Sequence, residues 1–249
     1  ASRVYSRKEA RPYRDIDLMF RQEDLGAASS ILKDEGFTPR KGGPEFVPSP
    51  YCTSHQKTLE GGRLKVEVDL HVSMHWPREY FRRTRFNEAD IWRCSREDEL
   101  AGMPVTSMSP EHLLICTCLD LAMNHRFARL IALRDLFEMV SGTGVDFEEV
   151  SSWSRRWEVC SFVYLSLDLL RRLGDGRLLP EDALERMRPR YPMIRLYRYT
   201  LSPSRLPSMR ARALTPRNLL FFLLGDHPAQ RLYGLKGLPK HFFSRVRHP

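Results

Sequence analysis

Two carboxylates, Asp15 and Asp17, stand two residues apart in the run Arg11-Pro12-Tyr13-Arg14-Asp15-Ile16-Asp17-Leu18-Met19-Phe20. In a β-strand, residues i and i+2 share a face. A strand over 15–20 therefore presents both acids on one side and buries Ile16 and Leu18 on the other. Two carboxylates on one face repel each other and are costly to desolvate. A divalent cation relieves both penalties, and Mg²⁺ is usually held by one or two carboxylates plus the phosphates of a substrate. Two solvated acids at a strand end account for the same pattern. A second stretch supplies a third acid. Arg63-Leu64-Lys65-Val66-Glu67-Val68-Asp69-Leu70-His71-Val72 alternates strictly, with Asp69 on the polar face. If the two strands are neighbours in one sheet, Asp15, Asp17 and Asp69 form the set that two-metal phosphoryl transfer requires. Two carboxylates hold the ions, and the third holds one ion and takes the proton of the attacking hydroxyl. An ordinary amphipathic strand with a wet face is the competing explanation.

The elements that must position these acids follow from periodicity and breakers. Residues 1–10 are expected to end a helix before a turn at Arg11-Pro12. Residues 23–35 read as a helix, with Leu25, Ala28, Ile31 and Leu32 at helical spacing and Gly36 at the C-terminal stop. A Gly/Pro-rich loop covers 38–50. A hairpin follows: a strand near 51–59, a turn at Glu60-Gly61-Gly62, and the alternating strand 63–72. Trp76-Pro77 breaks that strand. A basic, aromatic stretch then runs from Arg78 to Arg85, and a strand or linker leads to Gly102. At Ser109-Pro110-Glu111 the character changes, since Ser is a good N-cap and Pro suits the first helical position. Helices are expected to about Asn124, over 126–140, over 147–157 behind an Asp146 cap, over 158–173, and again from Pro180-Glu181. The fold class is α+β: a small mixed β-sheet with flanking helices, followed by an all-helical domain. The expected domains are 1–108, a helical domain 109–185, and a basic, partly helical extension 186–249.

Composition limits the function. A chain of 249 residues with 42% hydrophobic content can bury a core. The longest apolar run, Leu219 to Leu224, falls far short of the roughly 20 residues of a membrane span. Cys52, Cys94, Cys116, Cys118 and Cys160 are scattered and contain no Cys-x-x-Cys pair, so neither a structural zinc site nor a disulfide framework is expected. A reducing cytoplasmic location fits best. The net charge of +9 is uneven. From Arg186 to Pro249 there are 14 Lys/Arg and one acid, Asp226, a charge of +13 that leaves −4 for the remainder. Such a tail fits an anionic partner, nucleic acid included. The interleaved Tyr, Leu and Pro favour packing over nucleic-acid binding.

The order of these features resembles the uncharacterised nucleotidyltransferases, a branch of the polymerase-β-like superfamily. The resemblance rests on Tyr5 ten residues before Asp15-Ile16-Asp17-Leu18, with Arg11-Pro12 between. It continues through Val68-Asp69-Leu70-His71, Ser109-Pro110-Glu111-His112-Leu113-Leu114, Asn124-His125-Arg126-Phe127, Arg134-Asp135-Leu136 and Val145-Asp146-Phe147. It covers about residues 1–175 and implies a nucleotidyltransferase domain at 1–108. It also implies Mg²⁺-dependent transfer of an NMP group from an NTP, ATP by default, to an acceptor, with pyrophosphate released. The acceptor is a hydroxyl or other group on a small molecule, peptide or protein, with an anionic acceptor among the candidates. By match, Asp15 and Asp17 bind two Mg²⁺ ions, or Mn²⁺ in their place, and Asp69 is the third ligand and base. The superfamily's phosphate-cradling Gly-Ser or Gly-Gly turn would precede Ala1 in this register. Residues are therefore expected upstream, with Ser2 the nearest remnant.

Further candidates for contact with the triphosphate are Arg11, Arg14 and Lys65, each explained equally by surface charge, and His71, which would contact metal-bound phosphate or orient Asp69 and is explained as well by an ordinary polar strand residue. His75 is expected in a loop, His125 as a capping or core histidine, and Arg134-Asp135 in an interhelical ion pair. Two other classes compete with the enzyme: a degenerate nucleotidyltransferase fold that only binds a nucleotide or partner, and a nucleic-acid-binding protein acting through the basic segment.

Overall fold

The computed structural model describes residues 4–5, 11–13, 15–40, 52–59, 61–62, 64–74, 84–125, 127, 129–142, 144–174, 179–189, 193–201 and 226. The chain separates into two compact units, one of Glu9–His75 and one of Ala1–Lys8 with Trp76–Pro249. The fold is α+β. Ser2, Arg14, His75, most of the Arg78–Arg85 stretch, the first-helix expectation and nearly all of the basic segment beyond residue 201 lie outside the described residues.

Among the described residues the smaller unit is a four-stranded mixed sheet with one helix. Its elements are β1 (Ile16–Met19), α1 (Leu25–Asp34), β2 (Thr38–Pro39), β3 (Cys52–Thr58) and β4 (Lys65–His71). The strand order is β1-β4-β3-β2. β1 runs parallel to β4, and the other neighbours are antiparallel. The β3–β4 hairpin closes as the sequence implies. Gly61 and Gly62 take φ of 92° and 68°, a left-handed pair that glycine adopts without strain. α1 ends in a Schellman closure: Gly36 at φ 81°, Gly36 N–H donating to Lys33 O, and Phe37 N–H to Leu32 O.

Ala28 of α1 packs with Val68 and Leu70 of β4, and Phe20, Leu25, Leu32, Phe37 and Val66 close round them. His55 is buried on this face, 3.0 Å from Ser29 Oγ. The expected burial of Ile16 and Leu18 is corrected here. They face the helix side, in register with Val68 and Leu70, but are 49% and 41% exposed. β1 is a four-residue edge strand that begins at Ile16, one residue later than expected, with Asp15 ahead of it. The core cluster is centred on the next strand, and Phe20 rather than β1 itself reaches it.

The larger unit contains α2 (Glu88–Arg93), β5 (Arg96–Leu100), β6 (Met103–Ser107), α3 (Pro110–Met123), α4 (Leu130–Gly142), α5 (Phe147–Arg156), α6 (Cys160–Leu173), α7 (Glu181–Met187) and α8 (Met193–Thr200). α3 packs against α4, α5 and α6. Leu114, Ile115, Leu119 and Leu121 of α3 and Phe162, Val163, Leu165 and Leu167 of α6 are fully buried. The expected caps are present: Ser109 Oγ accepts from His112 N–H at 3.2 Å, and Asp146 Oδ1 from Glu148 N–H at 2.8 Å. The region expected as a strand or linker up to Gly102 holds the helix α2 and then the strand β5, which pairs with β6 beyond Gly102. Asn87 caps α2 by accepting from Ala89 N–H. Ala101 and Gly102, both at positive φ, make the two-residue turn. The hairpin hid in the sequence because Arg96-Glu97-Asp98-Glu99 is poor strand material.

Candidate metal and nucleotide site

The polar face of the small sheet is set by register. Ile16↔Val68 and Leu18↔Leu70 put the β1 and β4 apolar residues on the α1 side, so Asp17↔Asp69 and Met19↔His71 share the opposite side. On the other flank of β4, Ser54 faces Asp69 and Cys52 faces His71. Two of the three sequence-expected acids thus stand side by side on neighbouring parallel strands. Asp15 is exposed and lies immediately before β1.

His71 joins this face to the acids. Its Nε2 is 2.8 Å from Asp17 Oδ1 and 4.0 Å from Cys52 Sγ. The His71 side chain is 12% exposed and that of Asp17 66%. Burial is the largest influence on the imidazole and disfavours its charge. The hydrogen bonds to Asp17 and Cys52 and their charges together outweigh burial and raise the pKa from 6.5 to about 10. His71 is therefore a cation at neutral pH, held by Asp17. Among the described residues one set of three metal-capable side chains converges, with ligand atoms within 4.8 Å of one another: Cys52, Asp69 and His71.

The remaining candidates sit elsewhere. Lys65 opens β4, four residues and so about 13 Å of strand before Asp69, and its Nζ pairs with Glu67 at 3.1 Å. Arg11 stacks over the Tyr13 ring at 5.2 Å. His125 closes the end of α3, its Nε2 3.3 Å from Asp120 Oδ2 and 2.8 Å from Arg129 Nη1. Burial pushes the Asp120 carboxyl up, but the His125 and Asn124 hydrogen bonds and nearby positive charge hold it below its usual value. The expectation of an interhelical ion pair is corrected for Arg134. Arg134 pairs with Glu138 of its own helix at 3.7 Å and covers the Tyr5 ring, while Asp135 accepts from Tyr5 OH at 2.6 Å. Residue 135 points to the N-terminal segment, so the two neighbours on α4 serve different partners.

Sequence reasoning passed over Cys52, having read the cysteines only for paired motifs. The signal was the hairpin itself. Counting nine residues outward from Gly61 and from Gly62 brings Cys52 opposite His71, as the register places them.

The fold and this face define a protein class: an α+β protein whose small mixed sheet carries aspartates on adjacent parallel strands. The family described as uncharacterised nucleotidyltransferase matches residues 1–197, and the chain belongs to it. No curated protein and no solved structure matches the chain. Membership makes this a transferase-family domain with a nucleotidyl-transfer role and a nucleoside triphosphate substrate. Among the described residues, no helix is long and apolar enough to cross a membrane.

Proposed function

We propose that the chain is a Mg²⁺-dependent nucleotidyltransferase that moves an NMP group from an NTP to a hydroxyl or comparable acceptor on a small molecule, peptide or protein. The observation that carries this reading is the pairing of Asp17 with Asp69 on adjacent parallel strands, in a chain that belongs to a nucleotidyltransferase family. The donor chemistry fits the ion, because Asp17 and Asp69 offer oxygen ligands on one sheet face, which suits Mg²⁺ or Mn²⁺. Asp15, Asp17 and Asp69 would hold the metal. When bound, it would neutralise triphosphate charge and favour attack at the α-phosphorus.

The protein's own groups divide the remaining work. An Asp69 carboxylate oxygen takes the proton of the acceptor hydroxyl. The acceptor oxygen then bonds to the α-phosphorus as the bond to the β-phosphate bridging oxygen breaks, releasing pyrophosphate. His71, 2.8 Å from Asp17 and two residues after Asp69, would donate a hydrogen bond to a phosphate oxygen of the triphosphate. ATP is the first triphosphate to try.

The test is pyrophosphate release from each NTP with Mg²⁺ across a panel of hydroxyl and amino acceptors. It compares the wild type with Asp69→Asn and with Asp15→Ala/Asp17→Ala. Metal-dependent release that these substitutions abolish supports the reading. Release that is indifferent to metal and to all three acids refutes it.

A further inference from the structure

The three converging side chains on the sheet face are not a typical magnesium set. Cys52 and His71 face each other across β3 and β4, Asp69 lies two residues before His71, and their ligand atoms are all within 4.8 Å of one another. A thiolate and an imidazole select borderline metals such as Zn²⁺ over Mg²⁺, and a carboxylate is compatible with both. Around a tetrahedral Zn²⁺ with bonds of about 2.0–2.3 Å, neighbouring donor atoms lie about 3.3–3.8 Å apart. Cys52 Sγ and His71 Nε2 are 4.0 Å apart already. Small side-chain rotations on a backbone fixed by the β3–β4 ladder therefore close the set. Asp17 Oδ1, 2.8 Å from His71 Nε2, is the nearby oxygen donor that could supply a fourth ligand.

We propose that Cys52, Asp69 and His71 form a binding site for a thiolate-preferring dication, Zn²⁺ in the first instance, with Asp17 completing the coordination. Cys52 would bind as the thiolate and His71 as the neutral imidazole, the imidazolium proton and any thiol proton passing to solvent, and no oxidant or reductant is involved. The site shares Asp69 and Asp17 with the Mg²⁺ site of the proposed reaction, so zinc occupancy and magnesium-dependent transfer exclude each other. That consequence rests on the proposed reaction; the zinc site does not.

Co²⁺ replaces Zn²⁺ in such sites and gives a thiolate-to-cobalt charge-transfer band. Titrating the metal-free 249-residue chain with Co²⁺ should yield this band at one ion per chain, and Zn²⁺ should abolish it. Cys52→Ser should lose the band, and its Zn²⁺ affinity should fall by at least about tenfold, since loss of a direct ligand costs no less than loss of an outer partner. Cys94→Ser, a substitution in the larger unit and outside the converging set, should keep both. A second measurement needs no variant: Zn²⁺ should slow iodoacetamide alkylation of Cys52 in the wild type and leave Cys94 unchanged. Absence of the band, its survival in Cys52→Ser, or alkylation of Cys52 unaffected by Zn²⁺ would overturn the site. A cobalt signature without Mg²⁺-dependent pyrophosphate release sinks the reaction and keeps the zinc site. Release without the signature does the reverse.

Discussion

Replacing Asp17 by Asn removes the carboxylate that keeps His71 charged, and the consequence can be worked through. In the metal-free protein, burial opposes the charge on His71, yet Asp17 and Cys52 lift its pKa from 6.5 to about 10. A histidine whose pKa is raised by folding stabilises the fold fully below its unfolded value, and the contribution is lost as pH rises through the folded one. Here the window runs from about pH 6.5 to about pH 10. The difference, 10 minus 6.5, is 3.5 units, which at about 1.4 kcal/mol per unit would give ~5 kcal/mol in a sealed site. The Asp17 side chain is 66% exposed, so water screens most of that, and ~1–2 kcal/mol is the reasonable share. Urea unfolding in chelator should show Asp17→Asn less stable than wild type by that amount at pH 7. The two should coincide at pH 10.5. The His71 ring resonance followed by NMR should titrate well above 6.5 in the wild type and move down in the variant. A wild-type midpoint at or below 6.5, or one that Asp17→Asn leaves in place, would refute the reasoning.

Three stability predictions concern the larger unit. Asp226 accepts from Cys160 N–H at 2.6 Å and Ser161 N–H at 2.7 Å, capping α6 from far along the chain. Asp226→Ala should therefore cost about 1 kcal/mol and lower Tm by about 2–4 °C. His112 is fully buried between Trp153 and Trp157 with neither ring nitrogen hydrogen-bonded. Burial pushes its pKa below 6.5, against the raising effect of Glu111 and Asp90, so stability should fall as pH drops below 6.5. His112→Phe should flatten that fall between pH 7 and 5 and be neutral or stabilising at pH 7, as denaturant titrations at both values would show. Asp168 is fully buried, with Arg172 and Arg198 at 3.0 Å and Arg171 at 3.4 Å. Asp168→Ala should cost about 3–5 kcal/mol by leaving these guanidiniums without their shared partner, read from the urea midpoint.

The parts of the fold legible in the sequence were those fixed by local rules. Ser109 and Asp146 announced helix starts, Gly36 a helix stop, and Gly61-Gly62 a hairpin, because each answers a backbone need that few other residues meet. The strict alternation of residues 63–72 gave β4 and its two faces. α2 and the pairing of β5 with β6 were hidden because the charged residues of α2 and β5 carry no apolar period, and tertiary packing rather than propensity decides them. Burial of Ile16 and Leu18 was misjudged because alternation reports which face a residue is on, not whether the strand lies at an edge. Asp17 and Asp69 could be nominated as neighbours but not paired, since parallel register depends on long-range packing. Cys52 and the His71–Asp17 contact needed that register before they had any meaning.

The central claim is that the aspartates on the small sheet hold a metal-bound triphosphate. Its most direct measurement is equilibrium binding of an NTP whose α–β bridge is a methylene group, with and without Mg²⁺, to wild type, Asp17→Asn and Asp69→Asn. The account predicts binding that requires Mg²⁺ and weakens by at least about tenfold, ~1.4 kcal/mol, in each variant. Binding that ignores Mg²⁺, or that both variants retain at wild-type strength, would contradict it.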